Sequence, residues 1–295
     1  MIIVQLTGGI GNQLFQFAIG KALSIKLNQK LLIDISSFQW DPLRNFSLDK
    51  ILNRYALATT EDIVKVKSTI PRFTERIFYK LIGKEIPYYK RTHIKEIAFT
   101  FDENFFLYSS KHLYLEGYWQ SEKYFNFVRK EILSAFNLVN YPMSESMQLY
   151  TQKIEHATNS VSIHVRRGDY VLNPETNAFH GVCSIEYYER AMKEIEKKVP
   201  HPTYFVFSDD KNYVREIFGS SVQVEIVEGI PLDEEELLLM SFCKHQIIAN
   251  SSFSWWGAWL NQYKQKIVIA PNDWFLNKEM QQQSVDLIPE SWIKL

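Results

Sequence analysis

MIIVQLTGGIGNQLFQFAIGKALSIKLNQKLLIDI, Met1 to Ile35, reads as strand, glycine loop, helix and strand. Met1 to Leu6 is a β-rich run, and Thr7 to Gly11 is the loop. Asn12 is placed to cap a helix from about Gln13 to Leu27, whose Leu14, Phe17, Ala18, Ala22 and Ile25 recur at helical spacing. Leu31 to Ile35 is the next strand. A strand–helix–strand opening of this length implies a parallel sheet.

The pattern weakens from about Ser36 to Asn104, where Pro42, Pro71 and Pro87 punctuate short helical pieces. Leu113 to Glu116 returns to the sheet, and a helix follows Ser121 through Tyr124, Phe127, Val128 and Ile132. Tyr141-Pro142 opens a polar stretch, so the domains are expected at 1–150 and 151–295.

The second half is far more regular. Strand runs fall at Val161–Val165, Thr203–Phe207, Val222–Val227, Gln246–Ala249 and Lys266–Ile269. Helical runs fall between them, at Ile185–Val199, Lys211–Phe218, Asp233–Phe242 and Ser254–Gln262. This alternation predicts a doubly wound, Rossmann-like α/β domain. In such sheets ligands bind at the carboxyl ends of the strands, so residues there are the candidates for function.

His164, Arg166, Arg167 and Asp169 stand at the end of the first of these strands, with Gly168 among them. Paired guanidinium forks at that place suit a phosphate or pyrophosphate. Asp169 could orient an arginine or act as a base, and an interdomain ion-pair cluster is the plainer alternative. Ser208, Asp209 and Asp210 end the next strand, where a carboxylate can hold a ribose hydroxyl or a guanine edge, or simply cap the following helix. Asn250, Ser251, Ser252, Phe253 and Ser254 open another helix, with Ser252 or Ser254 as its cap. A hydroxyl-rich helix start is an anion site. Trp255, Trp256 and Trp259 read as packing residues. The loop at Gly8, Gly9 and Gly11, with Asn12 and Gln13, permits close approach of a ligand. It is neither a complete G-x-G-x-x-G nor a P-loop, which argues against a nicotinamide dehydrogenase.

Composition bounds the rest. The 295 residues are 46% hydrophobic and 23% charged with a net charge of −1, a soluble globular balance with no nucleic-acid signature. Aromatics reach 15%, rich enough for sugar-binding faces as well as a packed core. Two cysteines, Cys183 and Cys243, lack metal-ligand spacing and fit a reducing compartment. No apolar run is long enough to span a membrane. Between Lys65 and Lys95 nine Lys or Arg face two Glu, with Phe73, Phe78, Tyr79, Tyr88 and Tyr89 interleaved. That is either a patch for an anionic membrane or lipid-linked acceptor, or a solvated basic helix face. No Asp-x-Asp occurs, so a leaving diphosphate would draw its positive charge from Arg166, Arg167 and the helix near Ser254, not from a metal.

The blocks His164-Val-Arg-Arg-Gly-Asp-Tyr170, Gly8-Gly-Ile-Gly-Asn-Gln-Leu-Phe15, Phe207-Ser-Asp-Asp210 and Asn250-Ser-Ser-Phe-Ser-Trp-Trp-Gly257 together resemble glycosyltransferase family 11, the α-1,2-fucosyltransferases, over residues 1 to about 275. The resemblance implies a GT-B arrangement of two facing Rossmann-like domains, the first on the acceptor side and the second binding GDP-β-L-fucose. It implies inverting, metal-independent transfer, with no cofactor, to the 2-hydroxyl of a terminal β-galactoside, in O-antigen or oligosaccharide biosynthesis. It puts Arg166 on the donor diphosphate and Asn12 near the β-phosphate and fucose. Asp169, then His164, are the candidate bases. A bacterial, cytoplasmic protein, peripheral at the inner membrane if the basic segment binds there, is the expectation. The alternatives are a GT-B enzyme with another nucleotide sugar or linkage, and a sugar-nucleotide-binding protein without catalysis.

Overall fold

In a computed structural model, residues 1–67, 73–86, 91–107, 112–137, 141–219 and 221–295 are described. The chain divides into two compact α/β units, Met1–Asn137 and Leu138–Leu295. The division lies ahead of the expected residue 150. The reason is the helix Glu145–His156, which packs on the helix Asp233–Phe242 of the second unit. Its cap residue Ser144 is tied there: Glu235 accepts from the Ser144 amide at 2.9 Å and hydroxyl at 2.7 Å.

The first unit holds a four-stranded parallel sheet: β1 (Ile2–Gln5), β2 (Leu31–Asp34), β3 (His93–Lys95) and β4 (Leu113–Glu116), in the order β2-β1-β4-β3. Strand β1 runs between β2 and β4, so the chain leaves it in opposite directions across the sheet. The helix Ile10–Lys26 buries most of its length, which is why its apolar residues are not confined to one stripe. It begins ahead of the expected start. Gly9 is its N-cap and makes no side-chain cap bond, so Asn12 lies inside the first turn and does not cap it. After Ser121 two 3₁₀ turns, Glu122–Tyr124 and Asn126–Val128, precede the short helix Arg129–Ala135. Strand β3 falls inside the weakly patterned segment, where the sequence predicts no strand. Its three residues stand without the regular strand–helix alternation that marks the second half.

The second unit holds a six-stranded parallel sheet: β5 (Ser160–Val165), β6 (Thr203–Ser208), β7 (Val224–Ile226), β8 (His245–Ile247), β9 (Val268–Ala270) and β10 (Ile293–Lys294), in the order β10-β9-β8-β5-β6-β7. The chain winds outward from β5 through β6 and β7, then returns to lay β8, β9 and β10 on the other side. The switch point of this doubly wound sheet therefore lies between β5 and β8. All of β5 is buried, as a central parallel strand requires. The helices Ile185–Glu196 and Lys211–Phe218 fall as the sequence predicts. Trp255, Trp256 and Trp259 are fully buried core residues, with the Trp255 indole donating to the Leu287 carbonyl at 2.9 Å. No helix among the described residues is long and apolar enough to cross a membrane.

Candidate functional site

Strand β5 delivers its last residues to the switch point. The chain turns at Arg166-Arg167 and enters a short helix, Gly168–Leu172. Strand β6, paired with β5 in register His164 to Phe207 and Val165 to Ser208, delivers Asp209 and Asp210 beside the arginines. Arg166 Nη1 lies 2.9 Å from Asp209 Oδ2. Asp209 Oδ1 accepts from the Arg167 amide at 2.9 Å, so one carboxylate holds both a guanidinium and the backbone that carries the next one. Arg167 Nε donates to Asp210 Oδ2 at 3.2 Å, and its guanidinium lies 3.7 Å over the Tyr213 ring. Arg166 lies 5.6 Å from the Tyr170 ring centre. Gly168 has a physical reason: a Cβ there would stand 2.6 Å from Asp209 Oδ2.

Asp210 also caps the helix Lys211–Phe218, its Oδ1 accepting from the Tyr213 amide at 3.0 Å. That backbone bond, with Arg167, holds its carboxyl below the usual range. Both aspartates are thus engaged with the arginines, and Asp210 also with the helix start. Ser208 is buried and accepts from the Asp210 amide at 3.0 Å, so it shapes this turn from within. A cavity of about 290 Å³ is lined by Arg167, Gly168, Val171, Asp209, Asp210, Lys211 and Asn212. Lys211, paired with Glu236 at 3.0 Å, is a cation that the sequence reading missed. Its position one residue past an acidic cap is the signal that could have found it.

His164 is 3% exposed, and its Nδ1 is buried without a hydrogen-bond partner. Burial, with Arg166 and Lys211 adding positive charge nearby, holds the imidazole down to about 3. A neutral, weakly basic ring is a poor proton acceptor, which counts against His164 as the base in this state. Its ring centre lies 5.4 Å from that of Phe253, so β5 meets the start of the helix Ser252–Leu260 that follows β8. Asp169 belongs to the helix Gly168–Leu172, but its side chain lies outside the described residues.

In the loop after β8 the structure corrects one expectation, the identity of the helix cap. Asn250 is buried and donates to the carbonyls of His180, Gly181 and Trp274, while its Oδ1 accepts from Cys183 Sγ. It ties these loops together. Ser254 is buried with its hydroxyl on the carbonyls of Ala249 and Ser251. The cap of the helix Ser252–Leu260 is Ser251, and neither Ser252 nor Ser254. Ser252 and Phe253 remain partly exposed at the helix start.

The first unit has its own switch point, between β1 and β4. Gly8 there has φ +73°, a left-handed conformation that favours glycine. Gly9 and Asn12 are partly exposed, whereas Gly11 is buried. Gln13 is fully buried. Its amide donates to the carbonyls of Gly8 and Asn45, and its carbonyl accepts from the Ser47 amide. Gln13 therefore braces the glycine loop. Asn12 Oδ1 accepts from Gln120 at 2.7 Å.

Glu96, which the sequence reading missed, follows the last residue of β3. Its two carboxyl oxygens accept from the amides of Tyr118 at 2.7 Å and Trp119 at 2.9 Å. Burial pushes Glu96 up to about 7 against the pull of those two donors. Gly117 admits no side chain, because its Cβ would lie 2.4 Å from that of Glu96. Trp119 has φ +57°, a strained conformation for a bulky residue. A carboxylate and a strained loop at a sheet's carboxyl edge are features no local sequence period displays.

The fold is an α/β architecture of GT-B type, with two parallel sheets. It has a TM-score of 0.52 to Arabidopsis thaliana FUT1 in complex with GDP, at 13% identity over 91% of this chain and 70% of that one. To the fucosyltransferase NodZ from Bradyrhizobium the TM-score is 0.50, at 13% identity over 87% and 90%. The model of glycosyl transferase family 11 matches residues 1–295, and the chain belongs to that family. It is 35% identical to an alpha-1,2-colitosyltransferase of Escherichia coli over 100% of this chain and 99% of the relative. It is 34% identical to the O-antigen biosynthesis glycosyltransferase WbnK of Escherichia coli over 98% and 99%. A galactoside alpha-(1,2)-fucosyltransferase 2 of Sus scrofa is 26% identical over 64% of this chain and 56% of its own length.

Proposed function

We propose that the chain transfers L-fucose from GDP-β-L-fucose to the 2-hydroxyl of a terminal β-galactoside, with inversion, without a metal ion or a cofactor. The observation that carries the reading is the arginine pair at the β5 switch point, braced by Asp209 and Asp210. Membership of family 11 and the names of the relatives narrow the donor.

Displacement at the anomeric carbon builds positive charge on the sugar ring and negative charge on the leaving β-phosphate. Arg166 stabilises that charge, and its prior fixation by Asp209 means little reorganisation is needed at the moment of reaction. Arg167 and the start of the helix Ser252–Leu260 add positive potential, the latter through Ser252 and Phe253. Asp169 is the base that takes the acceptor proton. His164, neutral in the donor-free site, gains basicity once a diphosphate stands near it and serves as a hydrogen-bond partner to the donor. A cytoplasmic enzyme fits the likeness to the O-antigen biosynthesis glycosyltransferase WbnK.

Titration calorimetry with GDP, GDP-fucose, GDP-mannose and UDP-galactose tests the donor, and an acceptor array with NMR linkage analysis tests the product. No affinity for GDP, or a product linked elsewhere than galactose O2, overturns the reading. Activity is expected to survive EDTA. Replacing Arg166 by Lys, which loses the fork, is expected to lower kcat about 10²–10³-fold.

A second reading has a specific basis, the 35% identity to a colitosyltransferase. Colitose is fucose without its 3-hydroxyl. A site that hydrogen-bonds that hydroxyl rejects the deoxy sugar by several orders of magnitude, whereas an apolar one does not. The ratio of kcat/KM for GDP-fucose and GDP-colitose decides between them.

A further inference from the structure

The basic segment of the first unit is not absorbed by the transfer site. Of its residues, 68–72 and 87–90 and the side chains of Phe73 and Glu75 lie outside the described set. The helix Thr60–Lys67 sinks Val66 into the core beside Ile3, Leu32 and Tyr114. The next helix, Phe73–Leu81, differs: none of its described side chains is buried. A helix of nine residues is too short to be stable in water without packing.

This helix carries large apolar side chains into solvent. Ile77, Phe78 and Leu81 are 42%, 55% and 80% exposed, and Ile82 is 45% exposed in the turn that continues it, its amide bonded to the Phe78 carbonyl. Spaced i, i+1, i+4 and i+5, the four share one side of the helix. Arg76, Lys80 and Lys84 are exposed on the same short segment. The described acidic residue there, Glu85, is drawn off towards Arg91 at 3.7 Å.

An apolar stripe flanked by cations, with low intrinsic stability, is the pattern of a helix lying in a bilayer interface. The charge selects the occupant, since anionic lipid headgroups attract Lys and Arg where a neutral surface does not. We propose that Phe73–Leu81 is an interfacial helix that lays Ile77, Phe78, Leu81 and Ile82 on an anionic bilayer, with Arg76, Lys80 and Lys84 at headgroup level. The inference stands apart from the transfer reaction and does not depend on the identity of the donor.

The test is co-sedimentation of the full chain with phosphatidylcholine vesicles, with and without about 30% phosphatidylglycerol. Binding is expected only with the anionic lipid and is expected to fall as salt rises. Leu81→Glu, and separately the pair Lys80→Glu and Lys84→Glu, should each weaken partitioning about tenfold or more. These exposed sites support no core, so both variants keep the wild-type circular dichroism and Tm. Wild-type chain that stays in the supernatant at low salt overturns the proposal, as do variants that pellet like wild type. Gel filtration covers the other occupant. A wild-type oligomer that Leu81→Glu converts to monomer, without vesicle binding, assigns the stripe to self-association and overturns the bilayer.

Discussion

Gly168→Ala probes the coupling between the β5 turn and the Asp209 brace. The added Cβ would meet Asp209 Oδ2 at 2.6 Å, whereas ordinary contact begins at 3.4 Å. Asp209 is short and held at its other oxygen by the Arg167 amide at 2.9 Å, so it cannot rotate away freely. A retreat of about 0.8 Å stretches the Arg166 contact from 2.9 Å to about 3.7 Å, beyond hydrogen-bond range. A charge-assisted bond between side chains about a quarter exposed contributes roughly 1–2 kcal/mol. For a unit of this size that lowers Tm by roughly 2–8 °C. The informative comparison is a double-mutant cycle by scanning calorimetry. Asp209→Ala removes the atom that the new methyl strikes. Gly168→Ala is therefore expected to cost stability in the wild-type background and almost nothing in the Asp209→Ala background. Additive losses would refute the close-approach account, and so would a Gly168→Ala variant as stable as wild type.

Two titrations have opposite signs. His164 is held at about 3, below its ordinary 6.5, so its contribution to stability is complete above pH 6.5 and is lost as pH falls towards 3. Its ring shifts in the ligand-free protein should report neutral imidazole at about pH 5, and a midpoint near 6.5 contradicts the buried geometry. Glu96 is raised from 4.5 to about 7, so ionising it costs stability between those values, by about 3 kcal/mol at most above pH 7. Urea unfolding of wild type and Glu96→Gln across that range should show a pH slope that the variant lacks. Parallel curves would place Glu96 in water.

Much of the fold was legible because burial writes a period into the chain. The regular second half disclosed its parallel sheet, and the tryptophans of Ser252–Leu260 disclosed their core role. The arginine motif could be placed at a strand end, since a run of apolar residues stopped at His164. The short strands β3 and β10 were not legible, because β3 lies outside any regular strand–helix alternation and β10 spans two residues. Side-chain destinations were hidden for a different reason. Gln13, Asn250 and Ser254 sit in motifs that look like ligand contacts, yet their polar atoms bond backbone groups, those of distant loops for Gln13 and Asn250 and those of the preceding turn for Ser254. Local sequence shows that a polar group is present but not which partner reaches it first. The sequence by itself determined an α/β chain with paired guanidinium groups at a strand's carboxyl end. Tertiary structure alone decided that Asp209 and Asp210 brace those groups and that Glu96 holds the Tyr118–Trp119 turn. Parallel neighbours in a sheet are joined by long crossovers, so the residues that meet across their ends lie tens of positions apart in the chain.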